Sequence, residues 1–167
     1  MTISRGYSEM DWRKVTIGEA LRRSARNWPG NDFVVGMRQR INYATFDAQV
    51  DSLAKGFLGL GVGRGDHVAC WLTNSPAWLL TWFACCRIGA TVVSINTRYK
   101  VSEVEYILRQ SDAKVLVAMP EYWNIDYLGM IREMAPGFES DTPGQMQIDG
   151  LPELRAVVLW DDAEHPG

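Results

Sequence analysis

Residues 75–95, SPAWLLTWFACCRIGATVVSI, decide the fold, because they read as a buried helix followed at once by a buried strand. Ser75 can cap the free N–H groups of a helix, and Pro76 suits its first turn. The segment then stays apolar nearly all round until Gly89, a residue type that commonly ends helices. The β-branched residues Thr91 to Ile95 predict a strand buried on both faces, as in parallel sheets.

The segments on either side continue this alternation of strands and helices. Helices are predicted to start at the capping box Ser102-Glu-Val-Glu105 and near Trp123. The helix that starts near Trp123 is predicted to end at Met134. The remaining predicted strands are His67 to Leu72, Lys114 to Ala118 and Arg155 to Leu159. This β-α-β-α-β order predicts an α/β fold with three layers, in which helices cover both faces of a mostly parallel sheet.

The first quarter of the chain follows a different pattern. Residues 1–14 lack periodicity and are predicted to be irregular. A capping box from Thr16 to Glu19 predicts the start of a helix, and Phe33 to Met37 with Arg40 to Asn42 predicts a short hairpin. Asn42 is expected to cap the next helix.

The predicted domain organisation is simple. Residues 15–167 are expected to form a single α/β subdomain, with a flexible Gly/Pro/Asp-rich loop over residues 136–152.

Composition limits the classes of function. The 167 residues are 47% hydrophobic, which is typical of a globular protein, and the net charge of -3 disfavours a nucleic-acid partner. No signal peptide is predicted, because no charged n-region followed by an apolar run opens the chain. No transmembrane segment is predicted, because Arg87 and Gly89 interrupt the longest apolar stretch. The three cysteines are expected to be reduced, which favours a cytoplasmic location.

A search for catalytic or ligand-binding motifs finds none that is complete. The glycines between Gly59 and Gly65 precede a strand, whereas a phosphate cradle needs a following helix N-terminus, so they indicate a turn. His67 and His165 lack partners at metal-ligand spacing. Cys85 and Cys86 lie on an apolar helix without a base to activate them. No catalytic, cofactor-binding or metal-binding residue is therefore predicted.

The aromatic residues of the apolar helix are the first candidate for a binding surface. Trp78, Trp82 and Phe83 are expected on one side of this helix. That arrangement suits the wall of a pocket for an acyl chain, and it equally suits ordinary core packing.

Several stretches, taken in order, resemble the beginning of the adenylate-forming superfamily, which includes acyl-CoA synthetases, luciferases and the adenylation domains of peptide synthetases. Gly61-Val62 followed by Gly65-Asp66-His67-Val68-Ala69 is similar to the family's G-V-x-x-G-D-x-V-A. Gly89-Ala-Thr-Val-Val-Ser-Ile-Asn96 is similar to its G-A-x-x-V-P-L-N, except for Ser94 in place of proline. The resemblance covers about residues 15–160, and Asn96-Thr-Arg-Tyr99 looks like the acyl-CoA synthetase version of the sequence that follows.

The resemblance implies that the chain is the N-terminal portion of an ATP-dependent acid–thiol ligase. Such an enzyme uses ATP, Mg²⁺ and CoA to convert a carboxylic acid, here a fatty or other hydrophobic acid, to its CoA thioester. Asn96, Arg98 and Tyr99 join the three aromatic residues as expected lining of the substrate pocket. The family's phosphate loop and catalytic lysine have no counterpart in these residues, so the chain alone is expected to be inactive, to bind no cofactor, and to function with the remainder of its own protein.

Two other readings stay open at this point. The chain could be a standalone, non-catalytic α/β interaction module, and a homo-oligomer is compatible with either reading. A flavodoxin-like cofactor binder fits less well, since the hydroxyl-rich loop that holds the flavin phosphate has no match after the first strand.

Overall fold

The computed structural model describes residues 14–36 and 39–161. The predictions for residues 1–13, Met37 and His165 lie outside these residues. The chain divides into two compact units, with the boundary between Ala48 and Gln49. The sequence predicted a single unit over residues 15–167. The division falls inside a helix, where no Gly/Pro-rich linker marks it.

The first unit contains a helix, a hairpin and the start of the dividing helix. These elements are α1 (Ile17–Asn27), β1 (Asp32–Val35), β2 (Arg40–Asn42) and α2 (Tyr43–Gly59). The predicted capping box at α1 is present: Thr16 N–H donates to Glu19 Oε2 at 2.9 Å, and Glu19 N–H donates to Thr16 Oγ1 at 3.2 Å. The predicted cap of α2 is also confirmed, because Asn42 Oδ1 accepts a hydrogen bond from Thr45 N–H at 2.8 Å.

The second unit is built on a four-stranded parallel sheet with the strand order β4-β3-β5-β8. The strands of this sheet are β3 (His67–Trp71), β4 (Thr91–Ser94), β5 (Ala113–Ala118) and β8 (Ala156–Leu159). Two further strands, β6 (Glu121–Tyr122) and β7 (Ile125–Asp126), form a separate hairpin. The complete helices of this unit are α3 (Pro76–Ile88), α4 (Val101–Gln110) and α5 (Tyr127–Met134). Among the described residues, no helix is both long and apolar enough to cross a membrane.

Helices flank this sheet as the sequence predicted. The chain moves from β3 outward to β4, and then back across β3 to β5. Since crossovers between parallel strands are right-handed, these opposite directions put α3 and α4 on opposite faces of the sheet. The predicted three-layer α/β fold is confirmed.

The two helices after β3 and β4 test the predicted helix ends. Ser75 caps α3 by accepting a hydrogen bond from Trp78 N–H at 3.3 Å, and Gly89 ends the helix with a φ of 76°. The predicted capping box of α4 is wrong, because Ser102 lies inside the helix. The carboxylate of Glu103 instead accepts a hydrogen bond from Lys100 N–H at 2.7 Å, so the helix begins before the serine.

The segment after β5 also differs from the prediction of a helix starting near Trp123. Trp123 lies in the turn of the β6–β7 hairpin, with a φ of 56°, and α5 begins four residues later at Tyr127. Asp126 caps α5, since its Oδ1 accepts a hydrogen bond from Gly129 N–H at 2.7 Å. This short cap ends the hairpin and fixes the helix start.

The loop predicted to be flexible contains a 3₁₀ turn at Phe138–Ser140. Four of its apolar side chains belong to the core of the second unit: Phe138, Met146, Ile148 and Leu151. Burial of these side chains contributes to folding in spite of the loop's composition. The predicted flexibility of the loop stays a prediction.

Candidate functional site

The carboxyl edge of the parallel sheet is the first place to look for a site. In open α/β sheets, ligands bind outside the carboxyl ends of the strands, where successive helices leave toward opposite faces. That condition is met between the neighbouring strands β3 and β5, because the chain leaves β3 toward β4 and leaves β5 toward β8, in opposite directions, so α3 and α5 lie on opposite faces. The turn after β4, residues 96–99, lies at this edge.

This turn carries three of the side chains that the sequence predicted for the pocket. Asn96 Oδ1 accepts a hydrogen bond from Arg98 N–H at 2.9 Å, and Asn96 O accepts one from Tyr99 N–H at 3.1 Å. These bonds fold the chain back on itself directly after the strand. The side chains of Asn96, Arg98 and Tyr99 are exposed, so they are available to a ligand.

Two buried aromatic residues support the turn from beneath. Trp71 Nε1 donates a hydrogen bond to Asn96 O at 3.1 Å, and the Tyr127 hydroxyl donates one to Thr97 O at 2.9 Å. Their rings pack edge to face, with centroids 4.7 Å apart, and both side chains are fully buried. Burial raises the pKa of the Tyr127 phenol, so it remains a neutral donor.

Sequence reasoning missed both of these residues. Trp71 lies in a predicted strand, but the prediction gives its indole N–H no role. Tyr127 lies in a predicted helix whose start is placed too early in the chain. The one signal was the presence of two aromatic residues with polar atoms in segments that otherwise read as core. Such residues require a hydrogen-bond partner when they are buried.

The three aromatic residues of α3 lie side by side, as the sequence indicated. The rings of Trp78 and Trp82 stack with centroids 6.3 Å apart, and Phe83 meets Trp82 edge to face at 5.0 Å. All three side chains are half-buried. Trp78 belongs to the first turn of α3, which starts from the carboxyl edge of the sheet. This arrangement offers an apolar surface without deciding between a pocket wall and core packing.

The cysteines have the environment of core residues. Burial raises the pKa of the Cys70 and Cys85 thiols to about 12, and it also raises the pKa of Cys86. A thiol needs to lose its proton to act as a nucleophile. These three side chains therefore lack the activation that covalent catalysis requires.

A cavity of about 350 Å³ opens at the opposite, amino edge of the sheet. It is lined by Gly65, Asp66, His67, Asp112, Lys114 and Glu153. Lys114 Nζ lies 2.9 Å from Asp66 Oδ1, so part of this lining is already paired. Its charged walls and its position away from the carboxyl edge do not suit a hydrophobic acid.

The glycines before β3 form a turn, as predicted, rather than a phosphate cradle. Gly61 and Gly65 have φ values of 79° and 87°, and Gly63 N–H donates to Asp66 Oδ2 at 2.7 Å. At this point the chain enters a strand, so no helix N-terminus converges on a ligand. Within residues 14–36 and 39–161, no group of three metal-ligating side chains could hold an ion. No step through ATP or Mg²⁺ is assigned to these residues.

The sequence profile of the family described as AMP-binding enzyme matches residues 21–165 of the chain. The chain belongs to this family. The match includes the whole parallel sheet and the turn at its carboxyl edge, which confirms the resemblance seen in the sequence.

Two relatives of this chain carry the names of acyl-CoA ligases or synthetases. YngI of Bacillus subtilis, provisionally named an acyl-CoA synthetase, is 36% identical over 162 residues, covering 89% of this chain and 30% of the relative. The mitochondrial medium-chain acyl-CoA ligase ACSF2 of Rattus norvegicus is 32% identical over 165 residues, covering 98% of this chain and 27% of the relative. The chain thus spans less than a third of the length of these proteins.

Solved structures agree with this assignment. A fatty acyl CoA synthetase of Mycobacterium tuberculosis superposes with a TM-score of 0.72 at 25% identity, covering 87% of this chain and 26% of that protein. The N-terminal domain of FACL13 from the same organism gives a TM-score of 0.71 at 26% identity, covering 87% and 34%. The chain therefore shares the fold of the N-terminal portion of acyl-CoA ligases.

Proposed function

We propose that this chain acts as the N-terminal portion of an AMP-forming acyl-CoA ligase. In that reaction a carboxylate oxygen bonds to the α-phosphorus of ATP and pyrophosphate leaves. The thiol of CoA then gives up its proton to solvent as its sulfur bonds to the acyl carbon, and AMP leaves with the electrons of the broken C–O bond. The observation that carries the proposal is the match of residues 21–165 to the family of AMP-binding enzymes. The alignments with the ligase relatives agree with it, since they span less than a third of each relative.

The role of this chain within the ligase is to shape a binding surface. The turn of residues 96–99 brings an amide, a guanidinium and a phenol to the carboxyl edge, while α3 supplies a row of aromatic rings. The positive charge of Arg98 suits an anionic group, such as the acid's carboxylate or a phosphate of CoA. The rings of Trp78 and Trp82 suit the acyl chain. Together these groups support a pocket for a hydrophobic carboxylic acid.

The chemistry itself belongs to the remainder of the enzyme. ATP and Mg²⁺ act there, because charge stabilisation at a transferring phosphoryl group needs cationic groups or donors converging on it. We place the protein in the cytoplasm, on the strength of its three free cysteines. The rest of its own chain is its principal partner, and self-association is compatible with this role.

A hybrid enzyme tests the proposal. This chain replaces the matching portion of rat ACSF2, and CoA thioester formation from a medium-chain acid is measured with ATP, Mg²⁺ and CoA. The chain alone is assayed in parallel for pyrophosphate release. We expect turnover by the hybrid and none by the chain alone.

Two results would count against the proposal. A hybrid that folds cooperatively but forms neither acyl-AMP nor thioester would favour the standalone interaction module. Turnover by the chain alone would contradict the assignment of the chemistry to the remainder of the enzyme.

A further inference from the structure

We propose that Trp71 and Tyr127 are positioning residues, which hold the turn of residues 96–99 in the orientation that substrate binding requires. This inference rests on the proposed function of the turn. It assigns a specific task to two side chains that lie outside the set of predicted pocket residues.

The geometry favours this role because two separate elements act on consecutive carbonyl groups. Trp71 ends β3 and Tyr127 begins α5, yet their polar atoms reach the carbonyl oxygens of Asn96 and Thr97 at 3.1 Å and 2.9 Å. Each bond fixes the plane of one peptide unit, and these two units flank Thr97. The two bonds together therefore fix the backbone conformation of Thr97, and with it the direction in which Arg98 leaves the turn.

The surroundings of the two side chains make this support rigid. Both are fully buried, and their edge-to-face contact at 4.7 Å restricts each ring. On the side of β4, Ile95 N–H donates to Cys70 O at 2.9 Å, which extends the sheet pairing to the start of the turn. The turn is thus held at its entrance by the sheet and from beneath by two donors.

The alternative is that the two hydrogen bonds merely satisfy buried polar atoms. In that case their loss would lower the stability of the whole unit, or change nothing, without a selective effect on the turn. Tyr127→Phe separates these cases, because it removes only the hydroxyl and keeps the ring that packs against Trp71. Tyr106→Phe provides the matched control, since it makes the same chemical change on the exposed surface of α4.

Amide hydrogen exchange measured by NMR on the chain gives the first readout. In Tyr127→Phe we expect the amides of Arg98 and Tyr99 to exchange about fivefold faster, as expected for the loss of one hydrogen bond. The amides of β5 should keep their wild-type rates. Equal acceleration throughout the unit, or no acceleration in the turn, would overturn the inference.

Steady-state kinetics of the ACSF2 hybrid give the second readout. We expect Tyr127→Phe to raise the KM for the carboxylic acid or CoA about fivefold, with kcat and the KM for ATP within twofold of the parent hybrid. Unchanged KM values in an active hybrid would overturn the positioning role alone. Absence of turnover in both the parent hybrid and the variant would overturn the proposed function together with it.

Discussion

The carboxylate of Asp66 joins the amino ends of two neighbouring strands, since Lys114 Nζ lies 2.9 Å from its Oδ1 and Gly63 N–H lies 2.7 Å from its Oδ2. The hydrogen bond from Gly63, with further help from Lys114, lowers the pKa of Asp66 below its usual 3.8. A lowered pKa in the folded state means that the charged form stabilises the fold. This stabilisation is complete above the unfolded pKa and is lost as the pH falls through the folded pKa.

Asp66→Asn should therefore destabilise the chain at neutral pH and have less effect in acid. We expect a loss of about 1 kcal/mol in the free energy of unfolding at pH 7, and a smaller loss below pH 3. Urea unfolding followed by circular dichroism at both pH values measures this difference. Asp112→Asn is the control, because it removes the same charge from an exposed side chain of the same cavity. A loss from Asp66→Asn that is independent of pH would contradict the assignment.

The start of α4 provides a second test, because sequence and structure assign different roles to adjacent residues. The Glu103 carboxylate accepts the Lys100 N–H at 2.7 Å, whereas Ser102 is exposed within the helix. Glu103→Ala should cost about 0.5–1 kcal/mol through loss of this bond and of a negative charge near the helix N-terminus. Ser102→Ala should be neutral or slightly stabilising, since alanine is the better helix former. Thermal unfolding of the two variants decides between the assignments, and a larger loss for the serine would restore the sequence-based cap.

The glycine that ends α3 should resist substitution. Gly89 has a φ of 76°, and a Cβ placed there would lie 3.1 Å from Arg64 Cγ. Gly89→Ala is therefore expected to destabilise the chain by about 1–2 kcal/mol. Gly56→Ala is the matched control, because Gly56 lies inside α2, where a Cβ meets nothing within 4 Å. That variant should stabilise the chain by about 0.5–1 kcal/mol. Similar urea midpoints for the two variants would show that Gly89 does not impose the helix end.

The sequence predicted some segments of the chain correctly and others wrongly, and this difference has a physical cause. The α3–β4 segment was predictable because Ser75, Gly89 and the valines before Ile95 each act through local backbone preferences. The hairpin before α5 was not predictable, since a positive φ at Trp123 is rare for a bulky residue and depends on its context. The turn of residues 96–99 followed from the family resemblance alone. Its support by Trp71 and Tyr127 depends on a contact between residues 56 positions apart, which no local pattern contains.

The aromatic surface of α3 leads to a prediction about substrate choice. Trp82 is half-buried and contacts the rings of both Trp78 and Phe83. If these rings form the end wall of the acyl pocket, replacing the indole of Trp82 with a smaller apolar side chain makes room for further methylene groups of the acyl chain. In the ACSF2 hybrid, Trp82→Leu should therefore raise the ratio of kcat/KM for dodecanoate over octanoate by roughly tenfold, within the range expected for added methylene contacts.

This ratio separates a pocket wall from core packing. Partial unfolding of the variant lowers the concentration of active enzyme equally for both acids, so it cancels from the ratio. Tyr106→Leu, on the exposed side of α4 across the sheet, should leave the ratio unchanged. If Trp82→Leu lowers the melting temperature while the ratio stays at the parent value, the aromatic row belongs to the core, and the pocket assignment of Trp78, Trp82 and Phe83 is wrong.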